Sequence, residues 1–309
     1  MKLSAVSRYG LRTIALLYLF ILLLVPVGLI FWRSFEHGFV QFWEWITTPA
    51  AISALQLSLA IIIIVVPLNV VFGVIIALAL ARGRFPGKGF LQAVVDLPFA
   101  VSPVVAGVAL ILLWGYGGWF GGVESLGFRV IFGFPGLVLA TLFVTLPFVA
   151  REVEPVLREI GTEQEQAAAT LGANGWQTFS RITLPAIRWG LTYGIVLTIA
   201  RALGEYGAVT MVSSNYPGIS QTLTLLVNSR YTDDYNEYGA YSAATLLMLV
   251  AILVLVAMSL IERRAKSKLT DASEAITPDA DSLTRPVLTP SNGPEQIDAR
   301  QLVNEKEGV

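Results

Sequence analysis

The chain has 309 residues, of which 55% are hydrophobic and only 14% are charged, whereas a typical soluble domain carries about 25% charged residues. Its formal net charge of −1 gives no indication of nucleic-acid binding. The absence of cysteine excludes disulfides and cysteine-ligated zinc or iron–sulfur sites, and the single histidine, His37, excludes a multi-histidine metal site.

Six runs of uncharged, mostly apolar residues are long enough to cross a bilayer, which requires about 20 residues of helix. In chain order they cover residues 13–32, 52–81, 97–123, 130–150, 189–212 and 238–261, and the third is expected to end near Trp114. No small-x-small cleavage pattern follows the first run, so we expect a retained helix there. Because backbone polar groups must be satisfied within lipid, the sequence predicts an all-α membrane protein with about six transmembrane helices.

The lysines and arginines indicate the orientation of these helices, because they concentrate in cytoplasmic loops. The termini and the loops on their side carry Lys2, Arg8, Arg12, Arg82, Arg84, Lys88, Arg151, Arg158, Arg181, Arg188, Arg263, Arg264, Lys266 and Lys268. The opposite loops carry only Arg33, Arg129 and Arg230. The sequence therefore predicts that both termini are cytoplasmic.

The composition divides the chain into two parts. Residues 1–264 contain all six apolar runs and form the predicted transmembrane domain. From Ser267 onward, serine, threonine, proline and acidic residues dominate and no apolar period remains. We therefore expect residues 265–309 to form a disordered cytoplasmic tail.

Local signals near the third and fourth runs predict a helix start and two kinks. Asp96 directly precedes Leu97 and Pro98, which is typical of a helix N-cap followed by proline in the first turn. The pair Ser102-Pro103 and Pro147 are expected to kink their helices.

The loop between the fourth and fifth runs, residues 151–188, is too long for a simple connection. Thr162 and Glu165 have the spacing of a capping box, and Gly172 lies where a helix would end with a positive φ. Asn174 and Gln177 have the spacing of a second helix start. The pattern predicts two short helices joined by a glycine turn, which could form a compact knob or an amphipathic hairpin on the membrane surface. Pro185 is expected to end or kink this unit.

This loop resembles the coupling loop of ABC importer permeases, whose pattern is E-A-A-x-x-x-G, nine further residues, and I-x-L-P. The matching residues are Ala167, Ala168, Gly172, Ile182, Leu184 and Pro185, with the nine-residue gap preserved. The chain departs at Gln166, which stands where the family has glutamate, and Glu165 directly precedes it. The resemblance implies that the loop, including Glu165 and Gln166, forms coupling helices that dock on a separate ATP-binding subunit.

A closer resemblance covers roughly residues 10–264 and is to the W-type permease subunits of sulfate/thiosulfate importers. It is carried by Phe85-Pro86-Gly87-Lys88, by the stretches 96–107 and 145–152, and by Ala200-Arg201-Ala202-Leu203-Gly204-Glu205-Tyr206-Gly207. Molybdate permeases share the last stretch, so a molybdate or tungstate permease remains the alternative.

That resemblance implies a type I ABC importer permease fold in a bacterial inner membrane and transport by alternating access. The implied partners are a second permease subunit in a heterodimer, a pair of ATP-binding subunits and a periplasmic solute-binding protein. The chain itself would be no enzyme and would bind no cofactor, since ATP would be hydrolysed on the partner.

Arg201 and Glu205 lie four residues apart within the fifth run, and an unpaired arginine at the bilayer centre costs at least about 2.5–3.5 kcal/mol. One hypothesis is that Arg201, Gly204 and Glu205 line the translocation path, where Arg201 would lower the barrier to a divalent anion. The other is a buried structural pair that faces a neighbouring helix. Gly204 and Gly207 would permit close helix approach.

The sequence contains no nucleotide site, because residues 83–89 lack the spacing and the Ser/Thr of a phosphate-binding loop. An ion-coupled carrier that works alone is a second class of protein to consider. It would require ionisable residues near the midplane, where only Arg201 and Glu205 qualify. A membrane-embedded enzyme is a third class, which the lack of clustered catalytic residues disfavours.

Overall fold

The computed structural model describes residues 5–276, and it describes their side chains except at residues 5–9, 124–125 and 261–276. This part of the chain is helical and contains no β-strand. The helices are α1 (Ala5–Leu19), α2 (Val25–Ser34), α3 (Phe39–Ile46), α4 (Pro49–Arg82), α5 (Lys88–Ala100), α6 (Pro103–Trp114), α7 (Gly122–Ser125), α8 (Phe134–Ile160), α9 (Glu163–Thr170), α10 (Gly175–Thr178), α11 (Leu184–Leu203), α12 (Gly207–Val212), α13 (Leu223–Thr232) and α14 (Glu237–Ile276). Two π-helical segments, Phe20–Leu24 and Phe179–Thr183, join α1 to α2 and α10 to α11.

Five helices among the described residues are long and apolar enough to cross a membrane. They are Gly10–Ser34, Pro49–Arg82, Phe134–Ile160, Gly175–Leu203 and Glu237–Leu260. The predicted third span is instead the pair α5 and α6, which bend by 114° at a short break. The kink expected at Ser102-Pro103 is therefore confirmed, and the count reaches six when this pair is taken as one broken span.

Helices α4, α8 and α11 form the centre of the packing. Their shared apolar contacts include Val74, Val153 and Ile187, all of which are buried. Glycines bring the three backbones together at Val149 of α8: a Cβ added at Gly73 of α4 would lie 2.6 Å from the Val149 Cβ, and one added at Gly194 of α11 would lie 2.9 Å from the Val149 Cα. Close approach through small residues is typical of helix packing in membranes, where it increases van der Waals contact.

Polar side chains add two further contacts, one between α4 and α8 and one at the start of α4. Asn69 of α4 is buried, and its Nδ2 donates to Thr145 Oγ1 of α8 at 2.6 Å. At the start of α4, Thr48 accepts from the Ala51 N–H at 3.3 Å and precedes Pro49, which is the expected N-terminal pattern. Arg230 of α13 donates to the same Thr48 Oγ1 at 2.7 Å, and burial lowers the pKa of Arg230.

The chain separates into two compact units, Met1–Leu260 and Ile261–Val309. Within the second unit, α14 continues to Ile276, so the residues up to that position are helical where we expected coil from 265. The abundance of lysine, glutamate and alanine between residues 262 and 276 explains the extension, because these residues favour helix even without an apolar period. The rest of the predicted tail, residues 277–309, lies outside the described residues.

Candidate functional site

Helices α9 and α10 form the hairpin that the loop sequence predicts, and we call residues Glu163–Thr178 the coupling hairpin. Gly172 joins the two helices with a φ of +85°, which confirms the predicted glycine turn. The Ala173 N–H donates to the Ala168 carbonyl at 3.0 Å, as in a helix C-terminus closed by a left-handed residue. A side chain at position 172 would be strained, because φ values in this range favour glycine.

The second capping box is confirmed, and the first is wrong. Asn174 Oδ1 accepts from the Gln177 N–H at 2.8 Å, while Gln177 Oε1 accepts from the Asn174 N–H at 2.9 Å. The Thr162 side chain accepts no capping hydrogen bond from a backbone N–H of α9. Its hydroxyl instead accepts from Gln166 Nε2 at 3.0 Å, and Glu165 is turned inward to a stronger, charged partner.

Glu165 of α9 and its partner Arg82 together connect the coupling hairpin to α4, α8 and α11. Glu165 Oε1 accepts from Arg82 Nη2, at the end of α4, at 3.2 Å. The same oxygen accepts from Thr183 Oγ1, just before α11, at 3.0 Å. Arg82 also donates to the carbonyls of Leu157 in α8, at 2.8 Å, and of Gly161, directly after it. The coupling hairpin is therefore fastened to the ends of α4 and α8 and to the start of α11.

No local pattern predicts this role for Arg82, which the sequence identifies only as one of the positive charges on the predicted cytoplasmic side. A basic residue at the end of a long apolar run fits both a topology signal and a helix C-terminal cap. Only the fold brings it beside Glu165, which is 83 residues away in sequence.

The outer surface of the coupling hairpin is apolar at its turn. Leu171 is 88% exposed and Trp176 is 73% exposed. The ring of Trp176 lies 5.7 Å from the ring of Phe179, which packs in turn on the buried cluster between α4, α8 and α11. Ala167 is exposed and Ala168 is half-buried. Large apolar side chains exposed together on a short hairpin indicate a surface that contacts either another protein or the membrane.

Pro185 does not end the hairpin, contrary to our expectation. The chain passes through the π-helical segment Phe179–Thr183 directly into α11, and Pro185 lies in the first turn of that helix. The wider turn, in which the Leu184 N–H donates to the Phe179 carbonyl, carries the helix past the proline. Ile182 and Leu184 are half-buried along this stretch. The hairpin is therefore continuous with a membrane-spanning helix.

Arg201 and Glu205 form an ion pair, but they do not share a helix. Helix α11 ends at Leu203, so Glu205 lies in the break before α12. Arg201 Nη1 lies 2.7 Å from Glu205 Oε2, and the side chains are 34% and 1% exposed. Glu205 Oε1 accepts from the Ala208 N–H at 2.8 Å, so the carboxylate also satisfies the start of α12.

The glycines near this pair differ in their roles. A Cβ at Gly207 would lie 3.0 Å from the Cβ of Pro103, and one at Gly107 would lie 2.8 Å from the Ala208 carbonyl. These two glycines therefore allow α12 to pack closely on α6. Among the described residues there is no close approach at Gly204, contrary to the expectation: the nearest atom to a Cβ added there is the Ala200 carbonyl oxygen, at 3.8 Å.

Asp96 does not cap a helix, since it lies within α5 (Lys88–Ala100). Helix α5 starts at the left-handed Gly87, several residues before the expected boundary. Asp96 instead accepts two hydrogen bonds from Arg151 of α8, one of them from Nε at 2.6 Å. This bidentate ion pair links α5, the first half of the broken span, to α8.

Comparison with known proteins agrees with this architecture. Residues 69–267 match the family model described as "Binding-protein-dependent transport system inner membrane component". The chain is 48% identical over 258 residues to the "Sulfate transport system permease protein CysW" of Synechocystis sp., covering 83% of this chain and 93% of that protein. It is 43% identical over 263 residues to the protein of the same name in Escherichia coli K12, covering 85% and 90%.

Among solved structures, the chain resembles one in the crystal structure of a bacterial alginate ABC transporter in complex with an alginate pentasaccharide-bound periplasmic protein. The TM-score is 0.70 at 18% identity, covering 83% of this chain and 94% of that chain. This likeness shows the fold alone, and it agrees with the type I arrangement expected from the sequence. The chain thus belongs to the family of binding-protein-dependent transport system inner membrane components, the multi-pass permease subunits of ABC importers.

Proposed function

We propose that this chain is the permease subunit of a sulfate importer and moves the anion by alternating access. Two relatives that it matches over nine-tenths of their length are named as sulfate permeases, which favours sulfate over the molybdate or tungstate alternative. Thiosulfate shares the charge and tetrahedral shape of sulfate and is a further candidate substrate. The chain itself carries no ATPase site, and ATP is bound and hydrolysed on a separate subunit.

The observation that carries the proposal is the attachment of the coupling hairpin through Glu165. An ATP-binding subunit that grips Leu171 and Trp176 pulls on a rigid unit, because Arg82 and Thr183 hold that unit to α4 and α11. The continuous path from α10 into α11 carries the displacement toward Arg201. An ion-coupled carrier that works alone would not require a coupling hairpin, because it has no ATP-binding subunit to contact.

The assembly contains a second permease subunit, a pair of ATP-binding subunits and a periplasmic solute-binding protein. Both termini and the coupling hairpin lie in the cytoplasm of a bacterial cell, as the distribution of basic residues favours. Arg201 contributes positive charge to the translocation path, since a third of its side chain is exposed while its partner Glu205 is buried. Gly204 lies in the helix break between them.

The test is uptake of labelled sulfate by cells that lack this chain, with the wild-type chain restored from a plasmid. We expect restored uptake that excess thiosulfate reduces and equal molybdate leaves unchanged. Uptake that molybdate abolishes would assign the transporter to molybdate instead. Uptake without any ATP-binding subunit, driven by an ion gradient, would contradict the permease assignment.

A further inference from the structure

A cavity of about 490 Å³ lies beside the coupling hairpin, and we call it the basic pocket. One wall is the end of α4 and the following loop, and the other is α9. Three basic side chains line the cavity, those of Arg82, Arg84 and Lys88, together with the carboxylate of Glu165 and the neutral amide of Gln166. The pocket is thus shared between the transmembrane helices and the hairpin that the ATP-binding subunit is proposed to grip.

The charges within the basic pocket are not balanced. Glu165 is its one carboxylate and is engaged by Arg82 and Thr183. Lys88 makes a single weak contact, donating to the Gly83 carbonyl at 3.3 Å. Arg84 is exposed and forms neither an ion pair nor a hydrogen bond with any described residue. Two cations therefore face the cavity with unused hydrogen-bond donors, and a cleft in which one sign of charge predominates concentrates its field.

The wall formed by α9 brings no carboxylate other than Glu165, whose charge is paired with that of Arg82. Gln166 is neutral, and its amide nitrogen is directed to Thr162 at 3.0 Å. Glu163 is exposed on α9 but does not line the cavity. A partner that meets the pocket therefore encounters a positive surface beside an exposed apolar turn, the combination of apolar core and charged rim that protein interfaces show.

We infer that the ATP-binding subunit places a carboxylate side chain in the basic pocket, between Arg84 and Lys88. This inference rests on the proposed function, because it requires an ATP-binding subunit on the coupling hairpin. A carboxylate matches the arginine fork and the lysine point charge at once. Helix α9 forms one wall of the pocket and ends at the turn that carries the exposed Leu171, which the same subunit is proposed to cover.

The experiment measures the affinity of the purified ATP-binding subunit for the permease complex in phosphatidylcholine nanodiscs at low and high NaCl. The variants are Arg84→Gln, Lys88→Gln and the double variant, with Arg12→Gln as the control, because Arg12 is an exposed arginine outside the pocket on the same predicted side. We expect the double variant to bind about tenfold more weakly at low salt and to lose most of the salt dependence. Arg12→Gln should bind as the wild type does.

Equal affinity of the double variant and the wild type would overturn the inference while leaving the proposed function intact. So would a loss of affinity seen only when phosphatidylglycerol is added to the nanodiscs, because that result assigns the pocket to a lipid phosphate. Failure of the wild-type permease to bind any ATP-binding subunit would instead remove the proposed function, and this inference with it.

Discussion

Arg82 and Glu165 are 83 residues apart in sequence, with the broken span α5–α6 and the span α8 between them. Their side chains nevertheless meet at 3.2 Å where the coupling hairpin joins the membrane domain. Both are mostly buried, with 20% and 24% of their side chains exposed. Glu165 also accepts from Thr183, so one carboxylate fixes the hairpin to two separate spans. This contact replaces the capping role that the sequence assigns to Glu165.

We expect Glu165→Ala to loosen the hairpin from α4 and α11. It removes two hydrogen bonds and leaves Arg82 without its carboxylate, and a charged hydrogen bond of this kind contributes roughly 1.5–3 kcal/mol. The melting temperature in detergent and sulfate uptake should both fall. Glu163→Ala is the control, because Glu163 lies in the same helical turn and is exposed. Similar losses in both variants would argue against the fastening role.

Gly172→Ala should strain the turn of the coupling hairpin. A residue with a Cβ costs about 1–2 kcal/mol at the φ of +85° found there. We expect stimulation of the ATP-binding subunit to decline while the membrane domain still assembles, as measured by ATPase assay and gel filtration. Gly175→Ala is a matched control, because that glycine has a negative φ and open space around it. Full stimulation with Gly172→Ala would show that the turn tolerates the strain.

Trp176→Ala tests the apolar turn as a docking surface. Because the side chain is 73% exposed, its loss should change the stability of the permease alone by only about 0.5 kcal/mol. The affinity for the ATP-binding subunit should fall by more than about 2 kcal/mol, or roughly thirtyfold, if the ring fills a pocket on that subunit. Tyr116→Ala is the control, as Tyr116 is 97% exposed outside the hairpin. Unchanged affinity would place the docking surface elsewhere.

Glu205→Gln should destabilise the break between α11 and α12. The substitution leaves the Arg201 charge without its buried partner and weakens the acceptor for the Ala208 N–H. We expect less assembled protein in the membrane and lower uptake, and partial recovery of assembly in the double variant Arg201→Gln/Glu205→Gln. If the double variant assembles but does not transport, Arg201 acts on the anion. Normal uptake by the double variant would show that Arg201 and Glu205 are not needed for transport and act only in the folded structure.

Gly107→Ala should separate α6 from α12. The added Cβ would lie 2.7 Å from Met211 Cβ and 2.8 Å from the Ala208 carbonyl, so the helices must move apart. The expected result is a lower melting temperature and lower uptake than in the control Gly89→Ala, whose added Cβ meets nothing within 4 Å. Equal behaviour of the two variants would contradict the packing at this crossing.

Apolar run length was sufficient to predict the membrane-spanning helices, because the bilayer thickness fixes how long they must be. The glycine turn at Gly172 and the capping box at Asn174 were also predictable, since each depends only on residues a few positions apart. The broken third span was only partly predictable: Ser102-Pro103 marks the break, but a bend of 114° depends on what α5 and α6 pack against.

Side chains whose partners are distant in sequence were assigned wrongly. Asp96 and Glu165 both fit local capping patterns, yet each is engaged by an arginine from another helix, Arg151 and Arg82. A charged partner offers a carboxylate more stabilisation than a backbone N–H, so the tertiary contact wins. The four-residue spacing of Arg201 and Glu205 suggested one helix face, whereas the pair in fact spans a helix end.

Val149 lies between two glycines that belong to different helices, with Gly73 on α4 and Gly194 on α11. Only the Val149 side chain separates α8 from Gly73, and Gly194 meets the Val149 Cα directly, so we expect the crossing to be mechanically stiff. We therefore expect a force applied at the hairpin end of α11 to displace α4 and α8 together rather than to compress the space between them. A larger residue at position 149 would push α8 away from Gly73 of α4, whereas a smaller one would loosen that contact and weaken the mechanical coupling between the two helices.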